Sequence, residues 1–338
     1  MLDFGVTFLP DPPAQAFVDR VVRAEELGFR YAWTYDSHIL WEEGYIFLTL
    51  AAAATSRIKL GHCVTNPGIR EPTVTASGYA TLQDVSEGRM VMGIGRGDSS
   101  RRVVGLEPVP VGQFEASLAM IKDLMNGRQV QWNGRELQLA WAQGRPEIPM
   151  YVAGYGPRAL RVAGRVGDGV VIQLADPEIT RWIIERARAA AVEAGRDADA
   201  LAPVVCAPAV VDSDLPRWRE ETRWFPAMVS NHVKDLIARY GTDGEIPSAL
   251  TDFAAAVKEY DYSDHSRVGA EHGKYISDEI CDRFCLLGDA DQHVARLREL
   301  EELGVKQVNL YLMTTDFDAT MERYGRDVIP RFEPTAVG

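Results

Sequence analysis

Two polar clusters in this chain carry side chains that could transfer a proton beside a bound ligand. The first, TYDSHILW, brings Asp36, His38 and Trp41 close together, and the second, GIGRGDS, contains Asp98. A histidine near a carboxylate can donate or accept a proton near neutral pH, and an indole supplies a flat apolar wall for a ring. If both clusters end strands of one parallel barrel, His38 and Asp98 project onto the same face. A histidine that is merely hydrogen-bonded in a loop is the alternative.

The stretch Gly93–Asp98 (GIGRGD) resembles a dinucleotide-binding fingerprint only superficially. It lacks the third glycine at the required spacing and an acidic residue at the usual distance. A strand that runs into a tight turn fits better, because a flat ligand could then lie against the backbone at Gly97 while Asp98 points into the mouth. Arg96 and Arg101 bring positive charge to the same rim. The simpler alternative is an ordinary solvated turn.

A third cluster, VAGYGPRAL, predicts a phosphate-binding turn. Gly154, Tyr155 and Gly156 follow a short strand, and Pro157 stands at the expected first position of a helix. Glycines leave backbone N–H groups accessible, and the N-terminus of a helix favours an anion. An ordinary turn between strand and helix would use the same residues. Gln173, at the end of the next strand, is expected near the same rim.

The cysteines and histidines do not form a metal-binding pattern. His62 and Cys63 are adjacent, and neighbouring strand residues point to opposite faces, so they are not a ligand pair. Cys281 and Cys285 lie one helical turn apart without a nearby histidine pair, which favours packing over zinc binding. The sequence also lacks a nucleophilic-serine elbow and a phosphate-binding P-loop. We therefore expect no metal.

Strand-like and helix-like stretches alternate along most of the chain, and this requires a parallel sheet, because parallel neighbours need a crossover helix. The predicted strands are Phe4–Phe8, Tyr31–Thr34, Ile58–Val64, Met90–Gly95, Met150–Ala153, Gly169–Leu174, Ala202–Val211 and Gln307–Leu312. The predicted helices are Gln15–Leu27, Ile46–Ala54, Thr73–Ser86, Pro157–Val166, Pro177–Ala194, Ala290–Leu303 and Phe317–Tyr324. These strands suffice to close a (β/α)8 TIM barrel, which fits a chain of 338 residues.

Two stretches do not fit the repeat, and we interpret them as insertions in a single domain over residues 1–338. Residues 127–147 contain two short apolar runs around Gly134, which predict a β-hairpin after the fourth βα unit. Residues 215–275 follow the seventh strand, are mostly helical in pattern, and predict a lid or substrate wall. Packing onto the barrel or an oligomer face is the alternative. The aromatic residues of this insertion are Trp218, Trp224, Phe225, Tyr240, Tyr260, Tyr262 and Tyr275.

The composition predicts a soluble globular protein and narrows its partners. Hydrophobic residues make up 46% and charged residues 25%, and the formal net charge is −13. An acidic protein repels nucleic acid and anionic membranes, so any anionic ligand must be held by local donors. Four scattered cysteines do not make a disulfide framework. The sequence shows no secretion signal and no apolar stretch of membrane-spanning length, so we expect a cytoplasmic protein.

On these motifs the chain resembles the bacterial luciferase-like superfamily of flavin and deazaflavin enzymes. It is most similar to the reductase branch, which includes methylenetetrahydromethanopterin reductase and the deazaflavin-dependent glucose-6-phosphate and secondary-alcohol dehydrogenases. The motifs are TYDSHILW, LGHCVTNP, GIGRGDS, VAGYGPRAL with GDGVVIQ, and GDADQHVARLRELEELGVKQVNL. The resemblance covers most of the barrel and is weakest over residues 215–275. It implies a tricyclic ring lying across the carboxyl ends of the strands.

The resemblance also implies roles for individual residues. A cis peptide bond between Cys63 and Val64, not preceding proline, would back the ring. Asn66 would contact the polar edge of the ring, and Asp36 would contact the deazaflavin. The segment Arg96–Asp98 corresponds to the stretch after the fourth strand, whose carboxylate is an acid/base residue in the dehydrogenases. The turn at Gly154, Tyr155 and Gly156 corresponds to the phosphate-binding turn.

His38 and Trp41 are similar to the histidine and tryptophan of the family's active site, with one departure. Ser37 separates Asp36 from His38 here, so either Ser37 or His38 is the true equivalent.

The leading hypothesis is hydride transfer between coenzyme F-420, a deazaflavin, and a small organic substrate. His38 and Asp98 would handle the proton, and Trp41 would wall the pocket. The alternative is an FMN-dependent monooxygenase, which activates oxygen on the reduced flavin; a deazaflavin cannot, because carbon replaces its central nitrogen. A non-catalytic flavin-binding protein is a third hypothesis, since fold does not dictate function. By analogy with the family we expect a homodimer.

Overall fold

The central element of the fold is a ring of eight parallel strands. The computed structural model describes residues 1–11, 13–230, 233 and 276–333. Numbered in chain order, the ring strands are β1 (Asp3–Phe8), β2 (Tyr31–Thr34), β3 (Lys59–His62), β4 (Met92–Ile94), β7 (Met150–Ala153), β8 (Gly169–Ile172), β9 (Ala202–Val211) and β11 (Gln307–Tyr311). All of them are predicted by the sequence, which confirms the (β/α)8 barrel.

The order of strands around the ring is β3, β2, β1, β11, β9, β8, β7 and β4. The ring closes between β3 and β4 through two isolated parallel bridges, Leu60 with Met90 and Thr65 with Ile94. Both strands are therefore shorter than the predicted stretches, because their outer residues pair only at these bridges. Apolar side chains on both faces of the strands fill the core, as expected for a parallel sheet covered by helices.

Helices connect the strands and cover the outside of the ring. They are α1 (Ala14–Glu26), α2 (Gly44–Ala54), α3 (Pro72–Val85), α4 (Ser99–Arg102), α5 (Val111–Met125), α6 (Pro157–Val166), α7 (Pro177–Glu193), α8 (Leu215–Thr222), α9 (Asp278–Phe284), α10 (Ala290–Glu302) and α11 (Phe317–Arg323). Proline occupies the first turn of α3, α6 and α7, where its missing N–H leaves no intrahelical bond unmade. Short 3₁₀ or π turns cover Ala140–Ala142, Tyr324–Val328 and Ile329–Arg331.

The first insertion is the predicted β-hairpin. Its strands, β5 (Val130–Trp132) and β6 (Arg135–Leu137), are antiparallel. Asn133 and Gly134 join them with positive φ angles of 49° and 72°. Asparagine followed by glycine tolerates this left-handed turn, which explains why so short a hairpin forms at this point.

The second insertion begins with α8, and residues 224–230 are also helical. Trp218, Trp224 and Phe225 are almost fully buried, which fits the alternative that these aromatic residues pack the insertion onto the barrel. The four predicted tyrosines of this insertion lie outside the described residues: Tyr240, Tyr260, Tyr262 and Tyr275.

Three substantial elements are not predicted by the sequence analysis: α5, α9 and a further strand, β10 (Leu286–Gly288). Strand β10 lies outside the ring and pairs in parallel with the last three residues of β9. Three residues are too few for the sequence to show a strand pattern, so only the pairing with β9 defines β10 as a strand. Within the described ranges, no helix has the length and apolarity needed to cross a bilayer.

Candidate active site

A cavity opens at the carboxyl ends of the ring strands, where barrel enzymes place their chemistry. The space between its walls, open mouth included, amounts to about 1140 Å3. Its lining residues are Tyr35, Ser37, Trp41, Cys63, Val64, Thr65, Asn66, Gly95, Arg96, Gly97, Asp98, Ser99, Ser100, Pro108, Ala153, Gly154, Tyr155, Gly156, Ala159, Gln173 and Met228.

The floor of the cavity is the end of β3 and the neighbouring end of β4. The peptide bond between Cys63 and Val64 is cis. Gly93 and Gly95 lie beside Val64, and a Cβ atom on Gly95 would stand 3.1 Å from Val64 Cγ2. Glycine at positions 93 and 95 places no side chain beside Val64, and Ile94 between them is not among the lining residues. This edge of β4 therefore leaves room for a planar ring.

The turn after β4 forms one rim, and Asn66 holds it in place. The Asn66 side chain donates a hydrogen bond to Ser100 Oγ (2.9 Å) and accepts one from the Gly68 N–H (3.0 Å). Gly97 has a φ of +77°, and a Cβ atom there would lie 2.8 Å from Asn66 Oδ1. A side chain at position 97 would therefore push Asn66 away from the cavity.

Of the three charged residues predicted for this rim, Asp98 and Arg96 line the cavity, and Arg101 is not among the lining residues. Asp98 accepts a hydrogen bond from Arg102 Nε at 2.7 Å, within an ion pair. Arg96 Nε donates to the Val109 carbonyl oxygen at 2.6 Å. Among the described residues, the cavity wall thus carries one carboxylate and one guanidinium, those of Asp98 and Arg96.

The loop after β2 settles which of two adjacent residues faces the cavity. Ser37 is buried and lines the cavity, with its Oγ 3.3 Å from Ser99 Oγ. His38 is exposed and is not among the lining residues, so the structure does not bring it to Asp98 as expected. Trp41 does line the cavity.

Asp36 also lies elsewhere than the resemblance implies. It is 2% exposed and stands behind the wall, not on it. Its carboxylate accepts a hydrogen bond from Thr65 Oγ1 at 2.6 Å and two from Arg70 Nη1 at 2.9 and 2.8 Å. Thr65, which lines the cavity, thus bonds the Asp36 carboxylate directly to the cavity wall.

Another part of the cavity wall is formed by the start of α6. Gly156 is the N-cap of α6, and no side chain caps this end. A Cβ atom on Gly154 would lie 2.6 Å from Ala159 Cβ, so the glycine lets the first turn of α6 approach the strand end closely. Uncapped N–H groups at a helix N-terminus favour a phosphate or carboxylate.

A chain of hydrogen bonds crosses the cavity wall between α6 and the barrel core. The Tyr155 hydroxyl donates to Gln173 Oε1 (3.1 Å), and Gln173 Nε2 donates to the Tyr311 hydroxyl (3.0 Å). Cys63 Sγ lies 3.9 Å from that hydroxyl and 3.8 Å from Cys206 Sγ. Burial raises the pKa values of Tyr155, Tyr311 and Cys206 well above their usual ranges, so these groups stay protonated at neutral pH.

Most predicted site residues thus meet at one cavity. Several additional lining residues directly adjoin predicted ones, so the motifs themselves could have indicated them: Tyr35, Thr65, Gly95, Ser99 and Ala153. Ser100, Pro108 and Ala159 also line the cavity but adjoin no predicted residue that lines it. Met228 comes from the second insertion and shows no local signal. Among the described residues, no three histidine, cysteine or acidic side chains gather as a metal site, and all four cysteines are free and buried.

Comparisons with known proteins agree with this geometry. The family model described as luciferase-like monooxygenase matches residues 3–307. The 5,10-methylenetetrahydromethanopterin reductase of Archaeoglobus fulgidus is 30% identical, over 98% of this chain and 100% of that protein. The F420-dependent glucose-6-phosphate dehydrogenase of Beutenbergia cavernae is 28% identical, over 92% of this chain and 91% of that protein.

A solved structure is similar over the whole chain. The coenzyme F420 dependent tetrahydromethanopterin reductase of Methanopyrus kandleri superposes with a TM-score of 0.76 at 25% identity, covering 98% of this chain and 99% of that one.

Two fully buried histidines predict how stability depends on pH. Burial lowers the pKa values of His62 and His293 to about 4, so each stays neutral in the fold while the unfolded chain binds a proton near pH 6.5. The stability they contribute is complete above pH 6.5 and is lost as the pH falls toward 4. The loss is at most about 1.4 kcal/mol per pH unit for each histidine.

We expect His62→Asn to flatten the dependence of the unfolding free energy on pH between 6.5 and 4.5, measured by urea denaturation. His38→Asn provides the control: His38 is exposed, so its replacement should leave the slope of the unfolding free energy against pH unchanged. An unchanged slope in His62→Asn would show that His62 is protonated in the native protein.

Proposed function

Since this chain belongs to the luciferase-like monooxygenase family, we propose that it is an oxidoreductase that transfers a hydride between coenzyme F-420 and a small organic substrate. The observation that carries the proposal is the full-length similarity to two groups of enzymes named for F420 or tetrahydromethanopterin reduction. The cavity supports the proposal independently, because its lining includes both the glycine-lined floor at Val64 and the uncapped start of α6 at Gly156.

The residues of the cavity fit such a cofactor. The glycine-lined floor at Val64 would take the ring, and the uncapped start of α6 at Gly156 would take its phosphate. Asn66, Arg96, Gln173 and neighbouring backbone groups would bond the polar edges of the ring and its side chain. The bound deazaflavin supplies a hydride from its central ring carbon, and the protein contributes orientation and exclusion of water.

Asp98 is the residue that we propose for proton transfer. It is the acidic side chain among the lining residues, and its ion pair with Arg102 fixes its orientation. Ser37, not the exposed His38, lines the cavity, where its hydroxyl can bond the cofactor together with Ser99. Trp41 walls the substrate side of the cavity.

An FMN-dependent monooxygenase is the second candidate, and the description of the matching family favours it. The same flat floor and anion site would hold FMN. The two candidates differ in their need for oxygen, because only a flavin with a central nitrogen activates it.

We further propose that the protein is a cytoplasmic homodimer. Helix α2 contains no charged residue, and α3 contains only Asp84. Ile46, Leu50 and Val74 of these helices are 59%, 43% and 56% exposed, and we call this surface the α2–α3 face. A protein of net charge −13 repels its own copies except through an uncharged surface, which supports pairing at this face. The four free, buried cysteines are typical of a reducing compartment.

Titration with the two cofactors tests the proposed function. We expect the purified protein to quench the fluorescence of coenzyme F-420 with a lower Kd than FMN shows, and to turn over reduced F-420 without oxygen. Binding of FMN alone, with activity that stops under anaerobic conditions, would establish the monooxygenase instead.

Substitution of the two neighbouring residues tests the assignment of Ser37. We expect Ser37→Ala to weaken F-420 binding by about threefold to tenfold, the contribution of one neutral hydrogen bond. His38→Ala should leave the Kd unchanged, because its side chain points away from the cavity. The reverse result would restore His38 as the active-site residue.

Disruption of the α2–α3 face tests the dimer. We expect Leu50→Glu to convert a dimer into a monomer in light scattering, because two carboxylates would meet across a two-fold axis. Val192→Glu is the matched control, since Val192 is 63% exposed on α7, away from this face. A wild-type monomer, or a dimer that tolerates Leu50→Glu, would refute the proposal.

A further inference from the structure

An ion-pair network around the buried Asp36 carboxylate lies behind the cavity wall, and the proposed hydride transfer does not use it. Arg70 stands at its centre, on the segment between β3 and α3, with its side chain 20% exposed. Its Nη1 atom bonds both oxygens of Asp36, and its Nη2 atom bonds both oxygens of Glu43, at 2.5 and 2.6 Å. The guanidinium also lies 4.4 Å above the centre of the Tyr45 ring.

The network reaches the cavity through one residue, Thr65. The Thr65 hydroxyl donates to Asp36 at 2.6 Å, and the Thr65 backbone forms one of the bridges that close the barrel. The Thr65 N–H donates to the Gly93 carbonyl oxygen (2.9 Å), and its own carbonyl oxygen accepts from the Gly95 N–H (2.8 Å). The position of Thr65 therefore sets the junction of β3 and β4, which is the cavity floor.

The charge on Asp36 has one source of compensation in the described part of the chain. Burial lowers the pKa of His62 to about 4 and raises the pKa values of Tyr45 and Tyr79 above their usual range, so these three neighbours are neutral at neutral pH. The remaining charged neighbour, Glu43, is itself acidic. Arg70 is thus the cation that faces a carboxylate exposed by only 2%.

We propose that Arg70 is a positioning residue for the cofactor site: by compensating the charge of Asp36 it keeps this carboxylate buried and bonded to Thr65, which holds the cavity floor in shape. The inference rests on the proposed function only in so far as the cavity holds a flavin or deazaflavin. The resemblance to the family implies a direct contact of Asp36 with the cofactor, whereas this arrangement gives Asp36 an indirect role.

Removal of Arg70 should change how the stability of the protein depends on pH, which a simple loss of packing would not do. An ionised carboxylate left alone in the interior is strongly disfavoured, so Asp36 in Arg70→Met takes up a proton where an exposed acid would be ionised. The folded variant then binds more protons than the unfolded chain. Its stability therefore falls as the pH rises through the range in which the buried acid must ionise.

The first measurement uses the protein without cofactor. We expect the unfolding free energy of Arg70→Met, relative to wild type, to fall between pH 5 and pH 8. The double variant Arg70→Met with Asp36→Asn should lose this slope, because it has no carboxylate to ionise. Arg89→Met is the matched control: Arg89 is half-buried but donates only to Thr55 and to carbonyl oxygens, so its removal strands no acid.

The second measurement follows the binding of F-420, or of FMN, by fluorescence over the same pH range. We expect the ratio of the Kd of Arg70→Met to that of wild type to rise with pH, by up to about tenfold per pH unit, as the loss of one proton requires. Arg70→Lys keeps the charge but not the two-pronged bond, so it should bind more weakly with a ratio that is constant with pH. Because Arg70→Lys keeps the charge, we expect it to fold, so cofactor binding can still be compared with wild type if Arg70→Met is too unstable to study.

The outcomes separate this inference from the proposed function. A slope in Arg70→Met no greater than in Arg89→Met, or a Kd ratio constant with pH in both, would reduce Arg70 to a packing role and overturn the inference. Failure of wild type to bind either ring would overturn the proposed function, whereas the unfolding measurement, which needs no ligand, would still decide whether Arg70 neutralises Asp36.

Discussion

The site depends on how the barrel closes between β3 and β4. A Cβ atom on Gly61 would lie 2.0 Å from the Val91 carbonyl oxygen, and one on Gly93 would lie 2.4 Å from the His62 carbonyl oxygen. These two glycines allow the backbones to approach closely enough for the Thr65 bridge to form. The same absence of side chains leaves a flat floor above the junction. Ring closure and ligand shelf are therefore one structural feature, and a change that opens one deforms the other.

Charge is distributed locally in this acidic protein. The net charge of −13 disfavours an anionic ligand at long range, yet the cavity combines the uncapped start of α6 with the guanidinium of Arg96. These donors act at contact distance, where the field of the whole protein matters less than the nearest dipoles. Behind the wall, the Asp36 carboxylate is balanced by Arg70, so it adds little negative charge toward the ligand.

The choice between Ser37 and His38 changes the expected chemistry. With His38 outside, no imidazole lines the cavity within the described residues, and Asp98 is the residue proposed for proton transfer. The serine offers a hydrogen bond of either polarity but no charge at neutral pH. The glycine-lined floor, the uncapped start of α6 and the Asp98 carboxylate are compatible with the similarity to F420-dependent enzymes.

Local patterns in the sequence were sufficient to predict the ring strands, most of their helices, the hairpin at Gly134 and the three polar strand ends that meet at the cavity. This is because the repeat of buried residues and the glycine-rich turns are properties of short stretches of chain. The tertiary structure decided what depends on direction and distance. A difference of one residue reverses which side chain faces inward, so only the folded loop distinguishes Ser37 from His38. The Arg70–Asp36–Thr65 network and the contribution of Met228 join segments far apart in the chain, and no local pattern carries that information.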